Sequence, residues 1–195
     1  MAAITPASAT DVATVKGTAT FQGQPLSGDL SQRDGVLILH GAEKAREPGG
    51  KATIDQREGR FIPRVIAVAA GTTVTFPNND IVHHNVRSRS SVQRFDLGLY
   101  PPGEARSVTL ENAGVIEIRC GAHRDMEAYV VVSDSPYFAL ASEDGSYQID
   151  GVPPGSYDAE LWHPDAAPVR KPINVRPGIP VSTINLDLRE RRNDR

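Results

Sequence analysis

Gly114-Val-Ile-Glu-Ile-Arg-Cys120-Gly-Ala-His123-Arg-Asp-Met126-Glu-Ala-Tyr-Val-Val-Val-Ser133 is the stretch on which the reading of this chain turns. Two β-branched runs, Val115–Cys120 and Ala128–Ser133, have the length and composition of strands. The loop between them carries a thiolate, an imidazole and a thioether within seven residues, Cys120 to Met126. A hairpin loop of that length can turn three side chains inward on one point. Cys120 is the single cysteine among 195 residues. No internal disulfide can form, so the thiol is free, intermolecular or metal-bound.

Upstream, Val82-His83-His84-Asn85-Val86 supplies imidazole from the start of a different predicted strand. Two imidazoles, one thiolate and a weak axial thioether are the donor set of a blue-copper site. Thiolate and thioether are soft and favour Cu(I), whereas imidazole also holds Cu(II). A rigid β-frame that barely moves between the two states keeps the reorganisation energy low. A lone cysteine at a strand end is ordinarily a small buried hydrophobe, and a lone His or Met is ordinarily packing. C-x2-H-x2-M directly after a strand, with His-Asn on another, is a far more specific combination.

The rest of the chain is short β-branched runs broken by turns. Predicted strands are Val12–Phe21, Val36–His40, Phe61–Val68, Thr72–Phe76, Asn85–Ser90 and Ala105–Leu110 before the quoted stretch. Tyr137–Ala141, Ser146–Ile149, Tyr157–Trp162, Ile173–Val175 and Val181–Leu188 follow it. Gly-Gln-Pro, Pro-Asn-Asn-Asp, Pro-Pro-Gly and Asp-Gly punctuate them as turns. The 17 Gly and 15 Pro serve this turn chemistry and exclude a bundle of long helices. So many strands exceed one sandwich of seven to nine, which predicts two. Net charge is −3, from 21 Lys and Arg against 24 Asp and Glu, so a nucleic-acid footprint is absent. No apolar run reaches the roughly 20 residues of a membrane helix.

Several motifs resemble the cupredoxins, and within them the plastocyanin and amicyanin branch. Phe61-Ile-Pro63, Ala70-Gly71-Thr-Thr-Val74-Thr-Phe76-Pro-Asn78-Asn79-Asp80 and His84-Asn85-Val86 are similar to the family's strand, N-x-D turn and first ligand histidine. Phe95-Asp96 and Pro102-Gly103-Glu104 then precede the penultimate strand and an amicyanin-like short ligand loop. The resemblance covers about residues 53–133. It implies one mononuclear type 1 copper held by His84, Cys120, His123 and Met126. It also gives Asn85 the role of tying the two ligand loops together, and leaves His83 exposed or beside the site. Arg124 and Asp125 depart from the pattern, standing where amicyanin-like loops carry Pro and apolar residues. Glu127 adds to a rim more charged than the family's apolar docking surface.

A second resemblance lies outside that segment. Asp144-Gly145-Ser-Tyr147-Gln-Ile-Asp-Gly151-Val-Pro-Pro-Gly155-Ser-Tyr157 is similar to the carboxypeptidase regulatory-like (transthyretin-like) β-sandwich. The opening expected of such a module, Gly17-Thr-Ala-Thr-Phe21-Gln-Gly23-Gln-Pro25-Leu26, stands at the other end of the chain. The expected fold is all-β: a cupredoxin Greek-key β-sandwich plus a second small β-sandwich of carboxypeptidase regulatory-like type. In this division 12–41 and 137–188 form one split domain, and the cupredoxin domain 53–133 is inserted in it. Residues 1–11 are a disordered or extended N-terminus, Gly41–Gly50 a charged linker or long loop, and 189–195 a flexible tail. An N-terminal extension packed on the cupredoxin is the alternative to the split domain. Insertion at a loop is tolerated when the insert's ends lie close together. Trp162-His163 reads as a buried Trp with a surface His, and a second metal site at His40 and His163 has no accompanying carboxylate or Cys motif.

The functional expectation is a type 1 copper electron-transfer protein, not an enzyme. No nucleophile elbow, zincin, P-loop or dinucleotide motif is present. The implied partner is a redox protein or a membrane-associated electron-transfer complex, with no nucleic acid and no transmembrane segment. A periplasmic or otherwise extracytoplasmic location is expected, although no signal peptide is visible in this chain. A non-redox assembly subunit on a cupredoxin scaffold and a copper-handling protein are the competing readings.

Overall fold

The computed structural model describes residues 12–25, 34–41 and 49–190. The expectations for residues 1–11, for most of the linker and for 191–195 lie outside the described residues. All regular structure described is β. The chain opens with β1 (Ala13–Phe21), β2 (Gln24–Pro25) and β3 (Val36–His40). There follow β4 (Lys51–Thr53), β5 (Asp55–Arg57), β6 (Arg60–Ile62), β7 (Val65–Ala69) and β8 (Thr72–Pro77). Next come β9 (His84–Ser88), β10 (Phe95–Tyr100), β11 (Ala105–Leu110), β12 (Gly114–Arg119) and β13 (Glu127–Ser133). The chain closes with β14 (Phe138–Leu140), β15 (Ser146–Val152), β16 (Gly155–Trp162), β17 (Ala166–Ala167), β18 (Val169–Val175), β19 (Val181–Thr183) and β20 (Leu186–Glu190). Two compact units result, one joining the described residues before 42 to those from 137 onward, the other taking 49–136.

In the unit of 49–136, one sheet has the order β10-β9-β12-β13-β7 and the other β11-β8-β4, with β5 and β6 as a separate hairpin. Strand β8 shows why these residues form a strand. Thr72, Val74 and Phe76 are buried while the alternate residues are not, the period-2 signature of a sheet with one covered face. On the other face Thr73 and Thr75 meet Thr109 and Ser107 of β11, hydroxyl to hydroxyl at 3.0 and 2.9 Å. Phe76, Val86, Tyr100, Leu110, Ile116 and Val130 share one apolar core. Cys120 and Met126 belong to that same core, so two of the candidate donors are held by packing.

In the other unit β1 is central. It pairs antiparallel with β15 and parallel with β19 and β20. The second sheet runs β14-β3-β16-β18. Val15, Leu37, Leu39, Tyr147, Leu161 and Leu186 form an apolar core drawn from both sheets. Gly17 has a specific reason. A Cβ built there would lie 1.7 Å from the Ile184 carbonyl oxygen, and that oxygen also accepts the Tyr147 hydroxyl.

Several strand expectations differ from what is observed: β2, β4, β5 and β17 are short strands without a predicted counterpart, β18 begins at Val169 and not Ile173, and four further differences have a local cause. Phe61–Val68 divides into β6 and β7 because Pro63, which follows a cis peptide bond, has no N–H for the ladder. Val181–Leu188 divides at Ile184–Asn185, where the Asn185 side chain takes the Thr18 N–H at 3.0 Å in place of a backbone carbonyl. Its register is the same on both sides, Lys16↔Thr183 and Ala19↔Leu186. Strand β10 has no counterpart among the predicted strands. Apolar Phe95, Leu97 and Leu99 do alternate there, but Asp96 and Gly98 between them are residues that strands disfavour, and the register slips around Gly98, at φ 73°. Finally, β20 continues into the stretch 189–195 expected to be a tail, pairing Arg189 with Ala167 and Glu190 with Ala166.

Candidate metal centre

His84 opens β9, and Cys120 follows the last residue of β12. The side chains alternate across these strands, so His84, Val86, Ile118 and Cys120 all point into the core of the unit. His84 Nδ1 lies 3.8 Å from Cys120 Sγ, His123 Nδ1 lies 3.6 Å from it, and the two nitrogens are 3.1 Å apart. Three donors bonded trigonally at about 2.0–2.3 Å would stand about 3.5–3.8 Å apart. The triangle therefore has the size a first-row ion requires, closing slightly tight between the nitrogens. Among the described residues these three form the group whose ligand atoms all lie within 4.8 Å of one another. Met126 is buried in the same apolar core as Cys120. It also closes the loop: its N–H donates to the His123 carbonyl at 3.4 Å, and its carbonyl accepts the Cys120 N–H at 3.2 Å.

The other three histidines lie elsewhere. His83 is exposed at the surface. His40 Nε2 is bonded to Glu160 at 2.7 Å, and Arg170 donates to that same carboxylate oxygen at 2.8 Å. His163 is buried, contrary to the expected surface position, and its Nδ1 accepts the Asp165 N–H at 3.1 Å.

Three neighbours shape the triangle. Asp80 accepts the N–H groups of Gly59 and Ile81, each at 2.7 Å, and lies 3.0 Å from His84 Nε2. The two backbone donors, with His84 behind them, hold its carboxyl at about 2. An ionised carboxylate only accepts, so His84 carries its hydrogen on Nε2 and keeps the Nδ1 lone pair free. Asn78 shapes the turn, donating to the carbonyls of Val82 at 2.9 Å and Tyr100 at 3.2 Å. Asn85 spans both loops. Its N–H reaches Cys120 Sγ at 3.5 Å, its Oδ1 accepts the Gly121 N–H at 3.0 Å, and its Nδ2 donates to Asp96 at 2.7 Å. A Cβ on Gly121 would come within 2.9 Å of Asn85 Oδ1, so the close approach depends on glycine.

The neck of the ligand loop is pinned by charge. Arg119 and Glu127 face each other across β12 and β13. Glu127 takes Arg119 at 2.8 Å and Arg64 at 2.6 Å, while Arg119 also binds Glu117 at 2.5 Å. Glu127 is thus engaged in the loop's base and is not part of a free charged rim. Arg124 and Asp125 are exposed, as is an apolar pair in the other loop, Ile81 at 91% and Val82 at 43%. Sequence reasoning assigned no role to Asp80 or Asp96. Both stand in stretches that resemble the cupredoxins, Asp80 in the N-x-D turn and Asp96 in Phe95-Asp96, but what each one holds depends on a turn contact or a cross-strand register.

Residues 49–133, under half of the chain, match the model of the copper binding proteins, plastocyanin/azurin family. A chloroplastic plastocyanin of Fritillaria agrestis is 40% identical over 76 residues, 33% of this chain and 45% of that protein. The chain thus spans under half the length of the curated relative it matches. Similar solved structures include a purple cupredoxin from Nitrosopumilus maritimus, 28% identical with a TM-score of 0.40 over 42% of this chain and 99% of that one. Another is amicyanin from Paracoccus versutus, 21% identical with a TM-score of 0.40 over 50% and 97% of the two chains. The family match falls on the segment that brings His84, Cys120 and His123 together, with Met126 buried beside them. Residues 49–133 match that family's model and form an all-β, cupredoxin-like unit whose donor set fits one type 1 copper ion.

Proposed function

We propose that this protein is a type 1 copper electron-transfer protein and not an enzyme, in which His84, Cys120, His123 and Met126 would hold the ion. The observation that carries it is the donor triangle of two Nδ1 atoms and one Sγ inside a packed β core. Copper bound there supplies a one-electron Cu(II)/Cu(I) couple. The chain's own residues do the rest. Asp80 fixes the His84 tautomer, and the Asn85 N–H takes up part of the thiolate charge. Burial of His84, Cys120 and Met126 excludes water from three of the four donors. His123 is only partly covered, so the site meets the surface at its ring. A redox partner would find an apolar footing at the exposed Ile81 and Val82, in the loop before His84, and charge at the exposed Arg124 and Asp125, beside His123 in the ligand loop. The compartment proposed is extracytoplasmic. Among the described residues no helix is long and apolar enough to cross a membrane.

For the remainder of the chain we propose a carboxypeptidase regulatory-like β-sandwich, split by the inserted copper domain. The pairing of β1 with β15, β19 and β20 supports it, since those partners come from the far side of the insert. The module carries no catalytic group of its own in this reading, and serves attachment.

Loading the protein with Cu(II) is expected to produce an intense visible thiolate-to-copper band that Cys120→Ser abolishes. A colourless loaded protein would overturn the electron-transfer reading. Copper that exchanges readily without a reversible couple would favour copper handling.

A further inference from the structure

Arg87 stands on the outward face of β9, opposite Arg119 of β12 and Asp96 of β10. Its guanidinium carbon lies 3.6 Å from where a Gly121 side chain would begin, so it covers the residue after Cys120. Arg87 Nε is shielded from water and has no hydrogen-bond partner among the described residues. That is an unusual place for a cation. The facing Arg119 is neutralised by Glu117 and Glu127. The opposing charge near Arg87 is Asp96, which accepts the Asn85 amide at 2.7 Å and the Gly98 N–H at 2.8 Å. Those two bonds, with attraction to Arg87 and Arg89 behind them, hold the Asp96 carboxyl below its usual range.

Reduction of a metal site adds one negative charge, so a nearby cation favours the reduced form and a nearby anion the oxidised form. A partly desolvated charge acts through less screening than one in water. We propose that Arg87 biases the copper centre toward its reduced state, and that Asp96, bonded to Asn85, biases it the other way. This rests on the copper reading above, but Arg87 belongs to none of the ligands and the motif residues did not point to it.

The test is equilibration of the copper-loaded protein with ferrocenemethanol. One electron passes from ferrocenemethanol to the Cu(II) form, giving ferrocenium and the Cu(I) form, with no proton moved. R87Q is expected to shift the equilibrium toward the oxidised form about three- to tenfold. D96N keeps an acceptor for Asn85 but loses the charge, and is expected to shift it the opposite way about twofold. R87K, which restores the cation, should return close to wild type. An R87Q equilibrium matching wild type, or shifts of the same sign in R87Q and D96N, would overturn the proposal. A wild type without the thiolate band overturns the copper reading instead. Arg87 is then judged in the metal-free protein by amide exchange at Gly121. Acceleration in R87Q, reversed in R87K, supports its seat over the loop, and an unchanged rate refutes it.

Discussion

Asp80 shows how much one carboxylate can settle. Its three donors come from the β5–β6 turn, its own turn and His84, so a single side chain joins a hairpin tip to a candidate ligand. Carboxylates that orient a ligating histidine ordinarily account for ten- to a hundredfold in metal affinity. Asp80→Ala is accordingly expected to weaken copper retention by about that factor, read by competition with a chelator. Retention equal to wild type would show that packing alone orients the His84 ring. The convergence of His84, Cys120 and His123 was legible because donor chemistry is written in residue type and because C-x2-H follows a strand. What Asp80, Asp96 and Arg87 do was not legible, although Asp80 and Asp96 lie in stretches that resemble the family. Their effect depends on which residue faces them across a turn or a ladder, and nothing local in the sequence encodes that pairing.

At the scale of elements, alternation did most of the work. β8, β12 and β16 were readable because apolar residues recur at every second position. β10 has that recurrence too, at Phe95, Leu97 and Leu99, but Asp96 and Gly98 between them read as turn residues and hid it. β4 and β5 span three residues each, too few for a period to show. The break between β19 and β20 is a different case, since it needs Gly17 on the facing strand. Gly17→Ala would drive a methyl into the Ile184 carbonyl. Overpacking of that kind costs about 1–3 kcal/mol or more. A lowered urea midpoint for unfolding of the split unit is expected, while the visible band of the copper-loaded site stays unchanged. Loss of the band would mean that the damage spreads into the cupredoxin domain.

For the molecule as a whole, stability should fall in acid. Asp187 is held below the ordinary carboxylate value of 3.8 by the Gly23 N–H and the Thr20 hydroxyl. A carboxylate depressed in the folded state stabilises above its unfolded pKa, and the contribution disappears as pH falls through the lower folded value. Asp187→Asn should therefore be less stable than wild type at about pH 6, with the gap narrowing at an acid pH below the ordinary carboxylate value. Urea midpoints at the two pH values measure this, and a gap that persists in acid would assign the loss to geometry. The sheet around β1 has a further consequence in time. Synthesis runs from the N-terminus, and β1 emerges with only the short β2 to pair with. Its other partners lie beyond the entire unit of 49–136. The first of the described strands to leave the ribosome is thus among the last to complete its sheet, after that unit has been made in full.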